Sequence, residues 1–228
     1  MRYTWLRLVP VLVVPILPVP AVALAQASVA APFAAASEAR FDAAGYVAWF
    51  HANRGGIGGQ TFRDWFSAPR ISLCVGRYWT EHLKTEAELA ITGHGNLVSF
   101  EELESEPGIS RYLYRDHTYQ VRTLSLVQAW QFGRNAWVHP FLGAGIDVDW
   151  EHRTVETSLQ VSDNRAEPTL TVEALPRETR TEVIARAVAV AGLKAYLTRN
   201  AFFRTDVRAS FRESVDQVTW RFGIGLDF

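Results

Sequence analysis

Charged side chains recur at every second position along several otherwise apolar segments of the chain. Lys84, Glu86 and Glu88 form one such run, and Asp147 and Asp149 a second. Arg204, Asp206, Arg208 and Arg212 form a third, and Arg186, Lys194, Arg221 and Asp227 extend the pattern. Residues two apart share one face of a β-strand, so each run is a charged face. Charges of both signs gathered in a confined interior should pair, because an unpaired buried charge is costly. Ion pairing is therefore the chemistry expected of them, with a narrow gated ion pathway as the sharper alternative. Asp147, Asp149 and Glu151 together offer oxygen ligands of the kind a divalent cation takes, but arginines of neighbouring strands, such as Arg186, compete for them. His94, Ser99 and Glu101 supply the residue types of a hydrolytic triad, as many polar loops do. Cys74 is the only cysteine, which excludes an intramolecular disulfide and suits a buried thiol with a packing role. No catalytic residue, cofactor or metal site is assigned from these patterns.

Strands must hold these faces. The clearest runs over residues 218–228, where Val218, Trp220, Phe222, Ile224, Leu226 and Phe228 alternate with Thr219, Arg221, Gly223, Gly225 and Asp227. Residues 201–213 set Phe203, Thr205, Val207, Ala209 and Phe211 against the arginine-rich phase. Residues 136–151 and 83–92 alternate in the same way, and at 181–198 the two charges Arg186 and Lys194 choose the phase. Residues 70–80 form a further strand in which Arg77 breaks the apolar phase. Residues 113–132 switch phase between Arg122 and Gln128, which predicts a bulge, and residues 43–52 give the weakest pattern. The total is eight strands and no convincing helix.

The partners of the two faces decide the environment. The apolar phase is free of charge along five strands, as lipid demands, since a lysine or arginine facing the bilayer midplane costs roughly 2–4 kcal/mol. A soluble lipocalin-type barrel would turn the apolar phase inward instead. The connections near 79–81, 133–135 and 199–200 are short, whereas 54–68, 93–112 and 152–180 are long. Short inner turns and long outer loops are the asymmetry of a membrane barrel. Mean hydropathy near zero fits as well, because a barrel hides its apolar residues in alternate positions. Past residue 25 no stretch approaches the roughly 20 apolar residues of a spanning helix. With 23 basic and 24 acidic residues and no basic stripe, nucleic acid is not an expected partner.

At the amino end Arg2 and Arg7 precede an apolar stretch over 8–24, and Ala23-Leu24-Ala25 reads as a cleavage site. The expected organisation is a signal peptide over 1–25, a flexible segment over 26–40 and a barrel domain over 41–228. Eight strands, the export signal, the terminal aromatic and the Gly-x-Gly pairs (Gly143 with Gly145, Gly223 with Gly225) resemble small outer-membrane β-barrel proteins of the OmpX or OmpA-transmembrane-domain kind. The resemblance implies an all-β, eight-stranded antiparallel up-and-down transmembrane barrel in the bacterial outer membrane, monomeric and without a cofactor. It also implies outer-membrane lipid and lipopolysaccharide as surroundings. Trp220, Phe222, Ile224, Leu226 and Phe228 would form the signature read by the barrel-assembly machinery.

The function expected is structural or surface-interacting through the outer loops. A lipid A-modifying enzyme is the rival. The deacylase pattern His-x-Ser-Asn is absent, since no histidine here has a serine two residues later. A palmitoyltransferase would need a dry interior, whereas this one is charged. The third outer loop continues to alternate over 153–161 and 168–174, so the strands beside it are expected to project as a ribbon that takes up a partner strand. Trp65, Phe66, Tyr112, Tyr114 and Trp150 are expected in an outer aromatic girdle, and Trp79, Trp130, Trp137 and Phe228 in an inner one.

Overall fold

A computed structural model describes residues 40–55, 59–61, 64–103, 106–133, 137–163 and 169–228. The expected signal peptide and nearly all of the segment after it lie outside the described residues, as do the tips of several loops. The strands are β1 (Phe41–Asn53), β2 (Gln60–Thr61), β3 (Trp65–Tyr78), β4 (Leu83–Thr92), β5 (Gly95–Glu102) and β6 (Ile109–Gln131). They continue with β7 (Val138–Asp163), β8 (Thr169–Ala174), β9 (Glu178–Tyr196), β10 (Ala201–Phe211) and β11 (Val215–Asp227). No helix occurs among the described residues.

Eight of these strands close into a ring. The order β6-β4-β3-β1-β11-β10-β9-β7 is antiparallel throughout, and pairing of β6 with β7 joins the two ends. Closure leaves no unpaired edge in the wall, which is what a bilayer requires. Burial decides which phase faces lipid. Leu73 and Ile224 are 72% and 69% exposed, whereas Arg204 is 1% and Lys84 0% exposed. Greasy residues outside and charges inside are the reverse of a soluble barrel, so the wall faces hydrocarbon.

Aromatic side chains mark the two boundaries of that wall. Phe41, Trp79, Trp130, Phe132, Trp137 and Phe228 are exposed at the end carrying the short turns, and Phe41 stacks on Phe228 at 6.3 Å. Trp49, Trp65, Trp150 and Trp220 are exposed toward the other end. Phe66 is not among them. β3 already starts at Trp65, so the alternation turns Phe66 inward, where it is buried. Tyr112 and Tyr114 also fall outside the girdle, because they lie eight or more residues beyond Arg122 on β6, about 27 Å or more of strand.

The bulge expected near residues 122–128 is absent. β6 keeps one register against β4 from Leu83↔Trp130 to Ile91↔Arg122, and one against β7 along its whole length. Arg122 and Gln128 point outward with Leu124, Leu126 and Trp130. A register shift does occur between Ser210 and Phe211, where β10 meets β11 at the outer end.

The long connections are themselves largely strand. β5 pairs with the outer part of β6 from Gly95↔Tyr119 to Glu102↔Tyr112, and β2 pairs with β5. β6 and β7 remain paired out to Ile109↔Asp163. β8 pairs with the far end of β7, from Ser158↔Ala174 to Asp163↔Thr169. The expected ribbon is thus part of a wider sheet, β2-β5-β6-β7-β8, standing beyond the wall.

Candidate functional site

Three layers of polar side chains fill the ring. At the inner end Lys84 contacts Asp42 and lies 2.6 Å from Glu86. Lys194 lies 2.6 Å from Asp227 and 3.6 Å from Asp42, and it donates to the Tyr78 hydroxyl at 2.8 Å. Tyr78 in turn donates to Asp42 at 3.2 Å, and Tyr196 donates to Asp227. Gly76 leaves room for this cluster, since a Cβ there would sit 2.2 Å from an Asp42 carboxylate oxygen.

The middle layer ties opposite strands together. Arg204 of β10 grips both oxygens of Glu86 on β4, with Nη2 to Oε2 at 2.9 Å, and reaches Asp206 at 3.2 Å. Arg221 of β11 binds Asp206 through two nitrogens, at 2.6 and 2.7 Å, and also contacts Glu88. Arg208 lies 2.7 Å from Glu88. Two-pronged Arg–carboxylate pairs are the strongest of such bonds. Aromatic faces complete the packing, with Arg221 4.3 Å from the Tyr46 ring centre and Arg204 4.1 Å from that of Phe141.

In the outer layer Arg186 carries three acidic partners: Asp149, Glu151 at 2.7 Å and Asp216 at 2.6 Å. Asp149 also accepts from Thr123 at 2.5 Å and Gln217 at 2.9 Å, and Glu151 is shared with Arg54. Asp147 accepts from Ser210 at 2.9 Å and from Ser125, which itself accepts from Arg208. Asp149 and Glu151 therefore meet guanidinium groups, and no metal-binding cluster occurs among the described residues.

Of the charged residues singled out in the sequence, one falls elsewhere. β10 ends at Phe211, and Arg212 is exposed in the turn that follows. Asp42, Arg54, Arg70 and Asp216 join the interior without having been singled out. Arg70 is the first residue of the expected strand 70–80 and shares a phase with Ser72 and Cys74, so the alternation places it inside. Its guanidinium sits 5.4 Å from the Phe50 ring centre. Cys74 is buried beside Ala44, Tyr46 and Phe202.

Above these layers Phe50, Ala52, Phe66, Ala68, Leu97, Tyr119 and Val121 form an apolar cap. Phe66 stacks on Tyr119 at 5.0 Å and covers Gly95, where a Cβ would lie 2.1 Å from the ring. Beyond the cap is a buried serine–histidine pair that the sequence reading missed. Ser99 Oγ lies 2.9 Å from His117 Nε2, and Arg153 Nη2 lies 2.8 Å from His117 Nδ1. Arginine can only donate, so Nδ1 accepts and Nε2 carries the hydrogen that goes to Ser99. A catalytic base needs the opposite tautomer, with Nε2 free to take the serine proton. Burial, with Arg153 and Arg115 nearby, pushes the His117 pKa down to about 4. Glu101, from the triad first considered, instead accepts from Arg115 at 3.0 Å.

The far edge of the outer sheet is β8. Among the described residues it pairs only with β7, all six of its residues are exposed, and Leu170 and Val172 are 65% and 57% exposed on one face.

A closed eight-stranded ring with an apolar exterior, a charge-paired interior and strands extended on one side is a transmembrane β-barrel of the bacterial outer membrane. The chain belongs to the outer membrane protein beta-barrel domain family, whose sequence pattern it matches over residues 20–228. No curated protein sequence matches it. Among solved structures it is similar to the outer membrane protein OprG from Pseudomonas aeruginosa, at 11% identity over 83% of this chain and 96% of that one, with a TM-score of 0.50. It is also similar to Ail, the attachment invasion locus protein of Yersinia pestis, at 12% identity, 83% and 99% coverage and a TM-score of 0.45. Neisserial surface protein A shows 12% identity, 82% and 97% coverage and a TM-score of 0.43.

Proposed function

We propose that this barrel is a non-catalytic surface-interaction protein whose outer sheet receives a protein partner. The exposed edge of β8 carries the reading. An unpaired, β-prone edge is normally blunted by charge, proline or a covering loop. Here Thr169-Leu170-Thr171-Val172 leaves its backbone groups and two aliphatic side chains available for strand addition. The interior serves as a structural plug, made by Lys84, Glu86, Glu88, Asp147, Asp149, Arg186, Lys194, Arg204, Asp206, Arg208, Arg221 and Asp227. Arg186 on Asp149 and the tautomer of His117 support a role without metal or hydrolytic chemistry. A barrel acting as a monomer, exported by residues 1–25 and assembled through its Trp220–Phe228 face, completes the proposal.

The test is photo-crosslinking in intact outer membranes with a photoreactive residue at Thr171. An adduct of defined mass that disappears in a Val172→Pro variant is the expected outcome. Absence of any adduct at Thr171, with the barrel folded, overturns strand addition at this edge.

A further inference from the structure

The lipid-facing wall is not uniform. Two rows of side chains cross it from strand to strand, following the pairing partners. The upper row is Arg122, Ile91, Ile71, Val47 and Phe222, on β6, β4, β3, β1 and β11. The lower row passes through Leu89, Leu73, Gly45, Ile224 and Phe203, ending on β10. Between them runs a groove of about 980 Å³, interrupted in its lower rim at Gly45, which has no side chain to close it. The row starts at the outer boundary, with Ile91 one residue from the end of β4, and reaches Phe222 in the middle of β11. Four strand spacings make this roughly 19 Å, longer than the about 15 Å of one hydrocarbon leaflet.

The upper end of the groove opens into a second, polar pocket of about 440 Å³. Gln120, Arg122, Trp150, His152 and Thr181 line it, and Arg122 and Trp150 belong to both. Trp150 is the cross-strand partner of Arg122, and His152 shares a hydrogen bond of 3.0 Å with Thr181. No acidic side chain lines either cavity, and Arg122 has no salt bridge among the described residues. On the outward phase of the wall strands the only other arginine or lysine is Arg77, at the opposite boundary over the Trp79 ring.

An exposed guanidinium at the membrane surface, without a carboxylate, beside an indole and at the head of an apolar channel, has one complementary partner chemistry. We infer that this site seats a phosphorylated, multiply acylated glycolipid of the outer leaflet, of the lipid A kind. Arg122 takes a phosphate in the two-pronged manner arginine favours. Gln120 and His152 hydrogen-bond the sugar, and one acyl chain lies in the groove past Ile91, Ile71 and Gly45. A glycerophospholipid offers the same phosphate, but lacks the sugar hydroxyls that the polar pocket addresses.

Native mass spectrometry of the detergent-purified, folded barrel tests this with lipid A and phosphatidylglycerol supplied at equal concentration. The wild type is expected to retain one lipid A at least about fivefold over phosphatidylglycerol, matching about 1 kcal/mol. Arg122→Gln should weaken retention of lipid A at least about fivefold, and His152→Ala should lower the preference over phosphatidylglycerol. Gly45→Phe, which fills the groove and leaves Arg122 in place, should weaken retention, whereas Arg77→Gln at the far boundary should not. Each variant is checked for folding by its shift on boiling in a denaturing gel. Undiminished retention in Arg122→Gln overturns the site. So does equal retention of phosphatidylglycerol, which would reduce the effect to attraction of any anionic lipid, or an equal loss in Arg77→Gln.

Discussion

Glu86 shows how much can hang on one side chain inside the ring. It receives two nitrogens of Arg204 and the ammonium of Lys84, all buried. Glu86→Gln keeps the shape and removes the charge, leaving Arg204 dependent on Asp206. The expected loss is on the order of 3–5 kcal/mol, measured as the urea midpoint of unfolding from lipid vesicles. Glu156→Gln, on an exposed pair with Arg177 at 3.6 Å, should change the same midpoint by less than about 1 kcal/mol. Most interior charges could be read from period-two spacing because lipid forbids them on the other face. The exceptions have physical causes. Arg212 follows the spacing but lies past the end of its strand, where a turn frees it. Asp42 begins a strand whose small residues, Ala43, Ala44 and Gly45, give the two phases little contrast.

Among the elements, the outer sheet was the least legible. β5 places Leu97 and Ser99 inside and Val98 and Phe100 outside, so apolar and polar residues occur on both faces. The buried face holds Gly95 and Ser99 and the other face the apolar Val98 and Phe100, so hydropathy does not alternate although burial does, and the segment read as a loop. The same sheet should respond to acid. His117 is held neutral in the folded sheet at a pKa of about 4, against 6.5 when unfolded. Between those values the opened form binds a proton that the closed form rejects. Stability of the sheet is therefore complete above about 6.5 and falls as the pH drops toward and through about 4. Amide exchange of β5 and the outer part of β6 should accelerate across that window relative to a His117→Gln variant. An identical pH response in the two proteins would assign the effect to other groups.

At the scale of the whole molecule, the charged interior and the apolar cap of Phe50, Phe66, Leu97 and Tyr119 close the same passage twice. Planar bilayers containing the wild-type barrel are expected to show no steady conductance. A variant that removes both closures, Arg204→Ala and Arg221→Ala with Phe50→Ala and Phe66→Ala, should produce discrete openings if it still inserts. Steady current through the wild type would contradict the plug. The placement of strands around the ring has a further consequence. Arg204 and Glu86 are 118 residues apart in the chain, and Arg221 and Glu88 are 133 apart. Lys194 meets Asp42 and Asp227, the carboxylates that flank the seam between β1 and β11. A curved sheet that lacks β10 and β11 would therefore carry the carboxylates Glu86 and Glu88 before their arginines had arrived, facing hydrocarbon. Such half-built forms are penalised by their own electrostatics, which favours insertion in which the last two strands, bringing Arg204, Arg208 and Arg221, complete the middle layer together.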